Sequence, residues 1–123
     1  MGANPPKTYV EDVFSTYLTT GTGAGQTITT GIDGATHNVL SWSKSRSATT
    51  GHRLVDTVRG ATKELITDGT DAESTATQGV KSFSSTGIVL GTDTDYNNNL
   101  ATYIHWQFRE ANKFFKIVQA VKN

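Results

Sequence analysis

The stretch Thr102–Arg109 reads TYIHWQFR and alternates large apolar with polar or mixed side chains. Successive side chains of a β-strand point to opposite faces, so this alternation predicts a strand with one buried face. We expect the apolar set to point into a core: Ile104, Trp106 and Phe108. We expect the other set to point outward: Tyr103, His105, Gln107 and Arg109.

Further strand patterns precede this one at intervals of about 8–12 residues, separated by turn signals rich in Gly, Asn and Asp. The predicted strands are Thr8–Leu18, covered on both faces; Gln26–Ile32, with Ile28 and Ile32 inward; Asn38–Lys44, with Leu40 and Trp42 on one face; His52–Val58; and a hairpin of Val80–Phe83 with Gly87–Leu90. Residues Thr62–Thr67 fit either a short strand or one helical turn. This spacing predicts an all-β fold, an antiparallel β-sandwich or jelly-roll-like module.

The two ends of the chain have patterns of their own. Pro5 and Pro6 forbid helix and favour extended geometry, so residues 1–7 are interpreted as an extended N-terminal arm before a single β-sandwich domain over residues 8–123. The apolar residues near the other end fit a strand or a helix, and we favour a strand. A thin core beside apolar ends is typical of a subunit whose neighbour covers it. The expected assembly contacts are Pro5, Pro6, Phe114, Phe115, Ile117, Val118 and Val121.

The composition limits the classes of function. The chain has 123 residues, of which 35% are hydrophobic and 18% charged, and its net charge is zero. A neutral chain has no bulk attraction for nucleic acid, and no apolar run approaches the ~18 residues of a membrane span. We therefore expect neither nucleic-acid binding nor membrane insertion. The chain contains no cysteine, which excludes disulfide and thiolate chemistry.

No catalytic motif is complete. Gly21–Gly25 lacks the third glycine and the Lys-Ser/Thr pair of a phosphate loop. Asp93, Asp95 and Asn97 match the first ligands of a calcium loop, but the later glycine and glutamate are missing, so they are a weak candidate. The histidines lack metal-ligand spacing and G-x-S-x-G is absent, so we expect a non-enzymatic protein without a cofactor. A polar network that fixes a loop is the interpretation for three further residues: His52, Asp56 and Arg59.

The two tryptophans have different expected environments. Trp106 lies between apolar neighbours on its face and is expected in the core. Trp42 shares a face with Leu40, which also favours the core, but an exposed Trp42 beside Lys44 would stack on a sugar ring. If the protein binds a glycan, we expect Trp42 and Tyr103 to contact it.

A set of segments in a fixed order carries a resemblance: Asp12–Leu18, Gly21–Ile28, Leu40, Trp42, Lys44, Arg46, His52–Gly60, Ala72–Thr75, Ser82–Phe83, Gly87–Asp93, Tyr103–Arg109 and Phe114–Phe115. Together they resemble a domain of virion structural and tail-fibre proteins of tailed phages, especially phages of marine bacteria and cyanobacteria. The resemblance implies a β-sandwich related to concanavalin A-like and laminin-G-like folds. This chain departs from the family pattern at Ser41 and Ser43, which make the second face of the Trp42 strand more polar.

The resemblance implies a phage virion protein, assembled in the host cytoplasm: a capsid decoration, or a tail adaptor or short fibre. Its partners would be other virion proteins and further copies of itself, in a homo-oligomer. Because the chain is short, we expect a compact unit that completes its core against neighbours rather than a full two-sheet lectin sandwich. The alternative is a receptor-binding module that recognises a host-surface glycan. A second alternative, a glycan-degrading enzyme, would need a carboxylate pair, which the sequence gives no reason to form from Asp56, Glu64, Asp71 and Glu73.

Overall fold

Residues 7–120 are described by the computed structural model, and they form two sheets and two single-turn helices. The strands are β1 (Phe14–Thr20), β2 (Gln26–Thr29), β3 (Val39–Ser45), β4 (Arg53–Asp56), β5 (Gly60–Ile66), β6 (Ser74–Thr75), β7 (Val80–Phe83), β8 (Gly87–Leu90) and β9 (Thr102–Arg109). The helices are α1 (Val10–Val13) and α2 (Thr94–Asn97).

The two sheets are both antiparallel and pack face to face. The large sheet has six strands in the order β1-β9-β3-β4-β5-β6, and the small sheet has three in the order β2-β8-β7. They meet where β5 packs against β7, while α2 lies beside β3. This architecture is a β-sandwich, which confirms the predicted fold class. A second sheet is present in spite of the short chain, although it has half as many strands as the first.

The core between the sheets is small and mostly aliphatic. It contains Ile28, Val55, Val80, Ile88, Leu90 and Tyr96. Ile28 and Ile32 are both buried, which confirms their predicted inward orientation. Full burial of an aliphatic side chain of this size contributes about 1.5–3 kcal/mol. This cluster therefore supplies much of the attraction between the sheets.

Several predicted elements have the expected bounds. The hairpin of β7 and β8 and the strand β9 begin and end where the sequence pattern predicts. The ambiguous segment Thr62–Thr67 is strand rather than helix, since most of it lies in β5. The strands predicted over Asn38–Lys44 and His52–Val58 are present as β3 and β4, the second of them shorter than expected.

The predicted orientation of β9 is wrong. Tyr103, His105 and Gln107 are buried, with 1%, 0% and 0% of their surface exposed. Ile104, Trp106 and Phe108 lie on the opposite face and are half-buried. The reason is that all three find hydrogen-bond partners, Tyr103 at the two ends of α2 and His105 and Gln107 on neighbouring strands. Their burial therefore leaves no polar group of these side chains unsatisfied.

The first predicted strand is partly wrong. Thr8–Leu18 is not one strand, because Val10–Val13 forms a helical turn and β1 begins at Phe14. A hydrogen bond of 2.9 Å from the Tyr9 N–H to the Asp12 carboxylate stabilises this turn. β1 lies at the edge of the large sheet, and its side chains are half-buried or exposed rather than covered on both faces.

The strand predicted from Phe114 onward is also wrong. Residues 111–115 form a turn closed by a bridge between Ala111 and Phe115, and residues 116–120 have no regular structure. Lys113 has a φ of 64°, in the left-handed region that reverses the chain. The reversal places the Phe115 ring against Phe108 of β9, with ring centroids 5.6 Å apart.

Some predictions fall outside the described residues. They concern Pro5, Pro6, Val121 and the whole arm apart from Lys7. Between residues 7 and 120, no helix is both long enough and apolar enough to cross a membrane.

Candidate functional site

The face of the large sheet that points away from the small sheet carries most of the large apolar side chains. Residues paired directly across antiparallel strands project to the same face. Trp42 is paired with Trp106 on one side and with Leu54 on the other. Leu54 is paired in turn with Leu65. We call this surface the open face: Phe14, Leu18, Leu40, Trp42, Leu54, Leu65, Ile104, Trp106 and Phe108.

The rings of the open face pack against one another within the sheet. The centroids of Trp42 and Trp106 are 5.2 Å apart, and those of Phe14 and Phe108 are 5.0 Å apart, both pairs tilted by 50°. Tilted aromatic pairs of this kind contribute about 0.5–1.5 kcal/mol each. The turn at residues 111–115 covers the Phe108 end through Phe115. At the opposite end Leu18 stays 56% exposed.

A polar layer occupies the other face of the same strands, against the small sheet. We define it by Thr19, Ser41, Ser43, His105 and Gln107. The Ser43 hydroxyl lies 2.7 Å from His105 Nδ1, and the Thr19 hydroxyl lies 3.0 Å from His105 Nε2. Gln107 donates to Ser41 at 3.2 Å and accepts from the Thr30 hydroxyl at 2.6 Å.

The His105 ring is neutral at physiological pH. Burial lowers the pKa of His105 from 6.5 to about 4, because the charged ring has no water to solvate it. A neutral imidazole donates from one nitrogen and accepts at the other, which matches one hydroxyl partner on each side. Ser43 and His105 are 2% and 0% exposed, and His105 contacts a hydroxyl where a nucleophilic triad would have a carboxylate. The contact is therefore a structural bridge between β1, β3 and β9.

A buried charge network ties the large sheet to α2. Arg53 lies 3.3 Å from Glu64 and 2.9 Å from Asp95. The Tyr96 hydroxyl donates to the second Glu64 oxygen at 2.5 Å. Burial and the Glu64 carboxylate raise the pKa of Tyr96 well above its usual range. Each charge in this part of the interior therefore has an opposite charge or a hydroxyl as its partner.

The side chains of the weak calcium candidate, Asp93, Asp95 and Asn97, already bind other groups of the protein. Asp93 caps α2 by accepting from the Asp95 N–H at 2.9 Å, and the Asp95 carboxylate binds Arg53. The Asn97 amide donates to the Ala24 and Gly91 carbonyls. Among the described residues, no group of three His, Asp or Glu side chains is arranged to hold a metal ion.

The predicted loop network is present without its histidine. Arg59 binds the Asp56 carboxylate at 2.7 Å and Glu73 at 3.1 Å. The His52 backbone N–H instead donates to Asp68, and its ring lies 6.0 Å from Trp42. The structure thus places Asp56 and Glu73 on a shared arginine, and Glu64 on another, rather than as a free carboxylate pair.

An open cleft of about 1060 Å³ lies beside the covered end of the open face. Loop residues 34–38 form one wall and residues 109–116 form the other. Asn38 donates to the Glu110 carboxylate at 3.1 Å, and the Ile117 N–H donates to it at 2.6 Å. These two bonds lower the pKa of Glu110, because they favour its charged form. Glu110 therefore holds the wall of the cleft in place.

The predicted assembly residues that the structure describes line this cleft or lie just beyond it. Phe114 is 49% exposed and Val118 is 76% exposed, while Phe115 and Ile117 are half-buried. Phe114 and Phe115 line the cleft.

The two predicted sugar contacts lie on different faces. Trp42 is half-buried on the open face. Tyr103 is on the inner face, 1% exposed, and its hydroxyl donates to the Thr94 carbonyl and accepts from the Asn98 N–H, each at 2.8 Å. Tyr103 thus has no surface to offer a sugar, which corrects that prediction.

The sequence prediction missed the open face as a site. Leu18 and Leu54 were not predicted as site residues, because each belongs to a strand expected to bury its apolar side. Leu65 lies in a segment that fitted either a strand or a helical turn, so no face was assigned to it. The signal that identifies the inner face is the run of serines at Ser41, Ser43 and Ser45, all buried. Small polar side chains at alternate positions fit a close-packed layer better than a solvated face.

The fold and this surface define a class: a two-sheet antiparallel β-sandwich with a polar interior layer and an apolar outer face. Residues 10–116 match the family model of a domain of unknown function, DUF7483, and the chain belongs to that family. Searches of the curated proteins and of the solved structures gave no match.

Proposed function

We propose that this protein is a structural subunit of a phage particle, as a capsid decoration, a tail adaptor or a short fibre. In this proposal the open face docks on other virion proteins. The observation that carries the proposal is that the large sheet has its tryptophans on the face that the small sheet does not cover. The ordered resemblance to phage virion domains of the concanavalin A-like and laminin-G-like type supports the particle as its location.

Large apolar side chains that stay only half-buried on an outer face favour a partner. Contiguous apolar surface that is left in contact with water is typical of interaction sites. Removing apolar surface from water contributes about 25 cal/mol per Å². Aromatic residues are also enriched where protein interfaces concentrate their binding energy. Trp42 and Trp106 supply such residues at the centre of the open face.

The test combines a map of the particle with a matched pair of variants. An electron-microscopy map of an intact particle is expected to contain this chain with its open face covered. The double variant Leu54→Gln with Leu65→Gln is expected to lose association, since it makes the open face polar on β4 and β5, away from the β1 edge. Lys81→Gln, on the exposed outer side of β7, is the control and should associate normally. A chain that is monomeric at high concentration and absent from particles would contradict the proposal.

A carbohydrate-recognition module is the second candidate, and one observation favours it. Trp42 and Trp106 are adjacent and half-buried on the open face, where a sugar ring could stack. The Trp42 indole N–H is already buried, so it would not donate to a sugar hydroxyl. On a glycan array this candidate predicts hits that disappear in Trp106→Ala, and an array without hits would remove it.

A further inference from the structure

We propose that β1 pairs with β1 of a second copy, antiparallel, around a two-fold axis that passes through Tyr17. The inference deepens the proposed function, on which it rests, by naming the partner of one edge of the sandwich. The occupant of this edge is thus a second copy of the chain, and the open face stays available for other proteins.

The backbone groups at the free edge can be assigned from hydrogen bonds at the strand ends. Residues of an antiparallel strand alternate between bonding one neighbour and bonding the other. The Gly21 N–H donates to the Ala101 carbonyl at 2.7 Å, and Gly21 follows Thr20 in the β1–β9 register. Ser15, Tyr17 and Thr19 therefore bond β9, and the groups pointing away from the sheet belong to Phe14, Thr16, Leu18 and Thr20.

A second bond gives the same assignment from the other side of β9. The Arg46 N–H donates to the Thr102 carbonyl at 2.7 Å, so Thr102 faces β3 and Tyr103 faces β1. The register then places Tyr103 opposite Thr19, as the assignment requires.

This edge lacks the features that usually prevent strand addition. Natural edges are short, bulged, or carry charges and proline. β1 has seven residues, FSTYLTT, with a continuous register to β9 and no charge or proline. By contrast, β6 at the other end of the large sheet has two residues, and β7 at an edge of the small sheet has a register shift and Lys81.

The distribution of satisfied groups fits pairing of β1 with itself. The Phe14 N–H already donates to the Val10 carbonyl. The Thr20 carbonyl already accepts from the Gln26 side chain at 3.4 Å. When Tyr17 lies opposite Tyr17 of the second copy, Phe14 lies opposite Thr20. The Phe14 N–H of one copy then faces the Thr20 carbonyl of the other. These two groups do not bond each other, and both already have a partner within their own chain.

The remaining groups are complementary in the same register. Thr16 lies opposite Leu18 of the second copy, and within residues 7–120 the outward N–H and carbonyl of each have no hydrogen-bond partner. Each such pair therefore forms two hydrogen bonds. The Thr20 N–H finds the free Phe14 carbonyl. A register centred on Thr16 would instead place the occupied Phe14 N–H opposite Leu18 and leave a Leu18 carbonyl without its donor.

Side chains and charges suit the same arrangement. Tyr17 and Leu18 are 37% and 56% exposed, and both become covered when the edges join. Two tyrosines directly opposite each other form a favourable cross-strand pair. β1 itself carries no charged side chain, so no like charges meet along the paired strands.

The first test is a disulfide trap, since the chain has no cysteine of its own. Residues of a pair without ladder hydrogen bonds lie about 4.5 Å apart between Cα atoms, within the range that a disulfide spans. Tyr17→Cys is therefore expected to give a covalent dimer under mild oxidation. Thr20→Cys is the matched control: its side chain is exposed, but the two copies lie about 20 Å apart in this register. Equal cross-linking of both variants would overturn the proposal.

The second test removes one edge donor. Thr16→Pro deletes an outward N–H and leaves the bonds to β9 intact, whereas Thr16→Val keeps the donor and the strand. Sedimentation should find a dimer for the wild type and for Thr16→Val and a monomer for Thr16→Pro. Should Thr16→Pro not fold, the cysteine pair decides alone. If the chain is found in particles but Tyr17→Cys stays monomeric, edge pairing is contradicted and the assembly function is not. If Tyr17→Cys forms the cross-linked dimer but the chain is absent from particles, the assembly function is contradicted and edge pairing is not.

Discussion

At the scale of single residues, His105 links the polar layer to pH. Its pKa is about 4 in the folded protein against 6.5 for an unperturbed histidine, because of burial. Below pH 6.5 the unfolded chain binds a proton that the folded chain does not. The free energy of unfolding therefore decreases as the pH is lowered from 6.5 towards 4. We expect a loss of up to about 3 kcal/mol between pH 6.5 and 4 from this group.

The measurement is urea unfolding at several pH values between 7 and 4. His105→Gln, which has no titrating ring, should show a shallower dependence over this window. Ser82→Ala, at an exposed position of β7, is the control and should show the same pH dependence as the wild type. An unchanged slope in His105→Gln would contradict the assignment.

A second residue-scale prediction concerns Tyr96. Tyr96→Phe removes the donor to the buried Glu64 carboxylate and leaves that oxygen unsatisfied. Loss of a hydrogen bond to a buried charged group costs about 1–3 kcal/mol. Thermal unfolding should show the loss, while Tyr9→Phe, at an exposed tyrosine, should not. Equal stability of both variants would mean that the Tyr96 bond is weak.

Residue environments were predictable from the sequence only where burial follows from apolarity alone. Ile28 and Ile32 satisfy that condition, and both are buried. His105 does not, because its partners Ser43 and Thr19 are 62 and 86 positions away in the chain. A local sequence pattern cannot predict hydrogen-bond partners that are so distant in the chain. The orientation of β9 was mispredicted because it depends on these partners.

At the scale of elements, the contact between β2 and β8 depends on a glycine. A Cβ at Gly87 would overlap the backbone carbonyl of Ile28, and the two strands would have to separate. Gly87→Ala is expected to destabilise the fold by at least about 2 kcal/mol. Gly25→Ala is the matched control, because its Cβ would lie 3.7 Å from the nearest atom, the Leu90 carbonyl oxygen. Thermal unfolding of both variants checks this; similar melting temperatures would contradict it.

Elements were predictable where neighbours in sequence are also neighbours in space. The hairpin of β7 and β8 is closed by the bond from the Ser84 N–H to the Gly87 carbonyl, 2.8 Å, within one short segment. The chain after Phe114 was not predictable in this way, because its shape depends on a ring contact with Phe108. The spacing of the apolar residues in this segment is compatible with a strand and equally with the turn that places Phe115 against Phe108.

At the scale of the molecule, both tryptophans lie on the open face, so fluorescence reports whether that face is covered. Acrylamide should quench the isolated sandwich readily and the particle-bound protein weakly, because a partner excludes the quencher. The emission maximum should move to shorter wavelength on association. Trp42→Phe and Trp106→Phe, measured separately, should each retain the effect. Unchanged quenching in the bound state would place the contact elsewhere.

The whole architecture was predictable as a class but not as a topology. Regular short strands with turn signals indicate a sandwich, and the structure has one. The order of the large sheet places β9 between β1 and β3, which no local pattern specifies. The open face follows from that order, since it brings Trp106 beside Trp42. The sequence therefore identified Trp42 and Trp106 as notable residues but could not predict that they lie side by side on one surface.

The two faces of β9 have different roles. Positions 103, 105 and 107 hold the strand to its own chain, while positions 104, 106 and 108 face outward. Under the proposed docking, a substitution at an outward position changes the surface offered to a partner and also removes ring contacts within the sheet. A substitution at an inward position removes hydrogen bonds inside the fold. Under that proposal, a lineage carrying this domain would change the protein on which it docks through a few neighbouring codons, while the buried polar layer is kept.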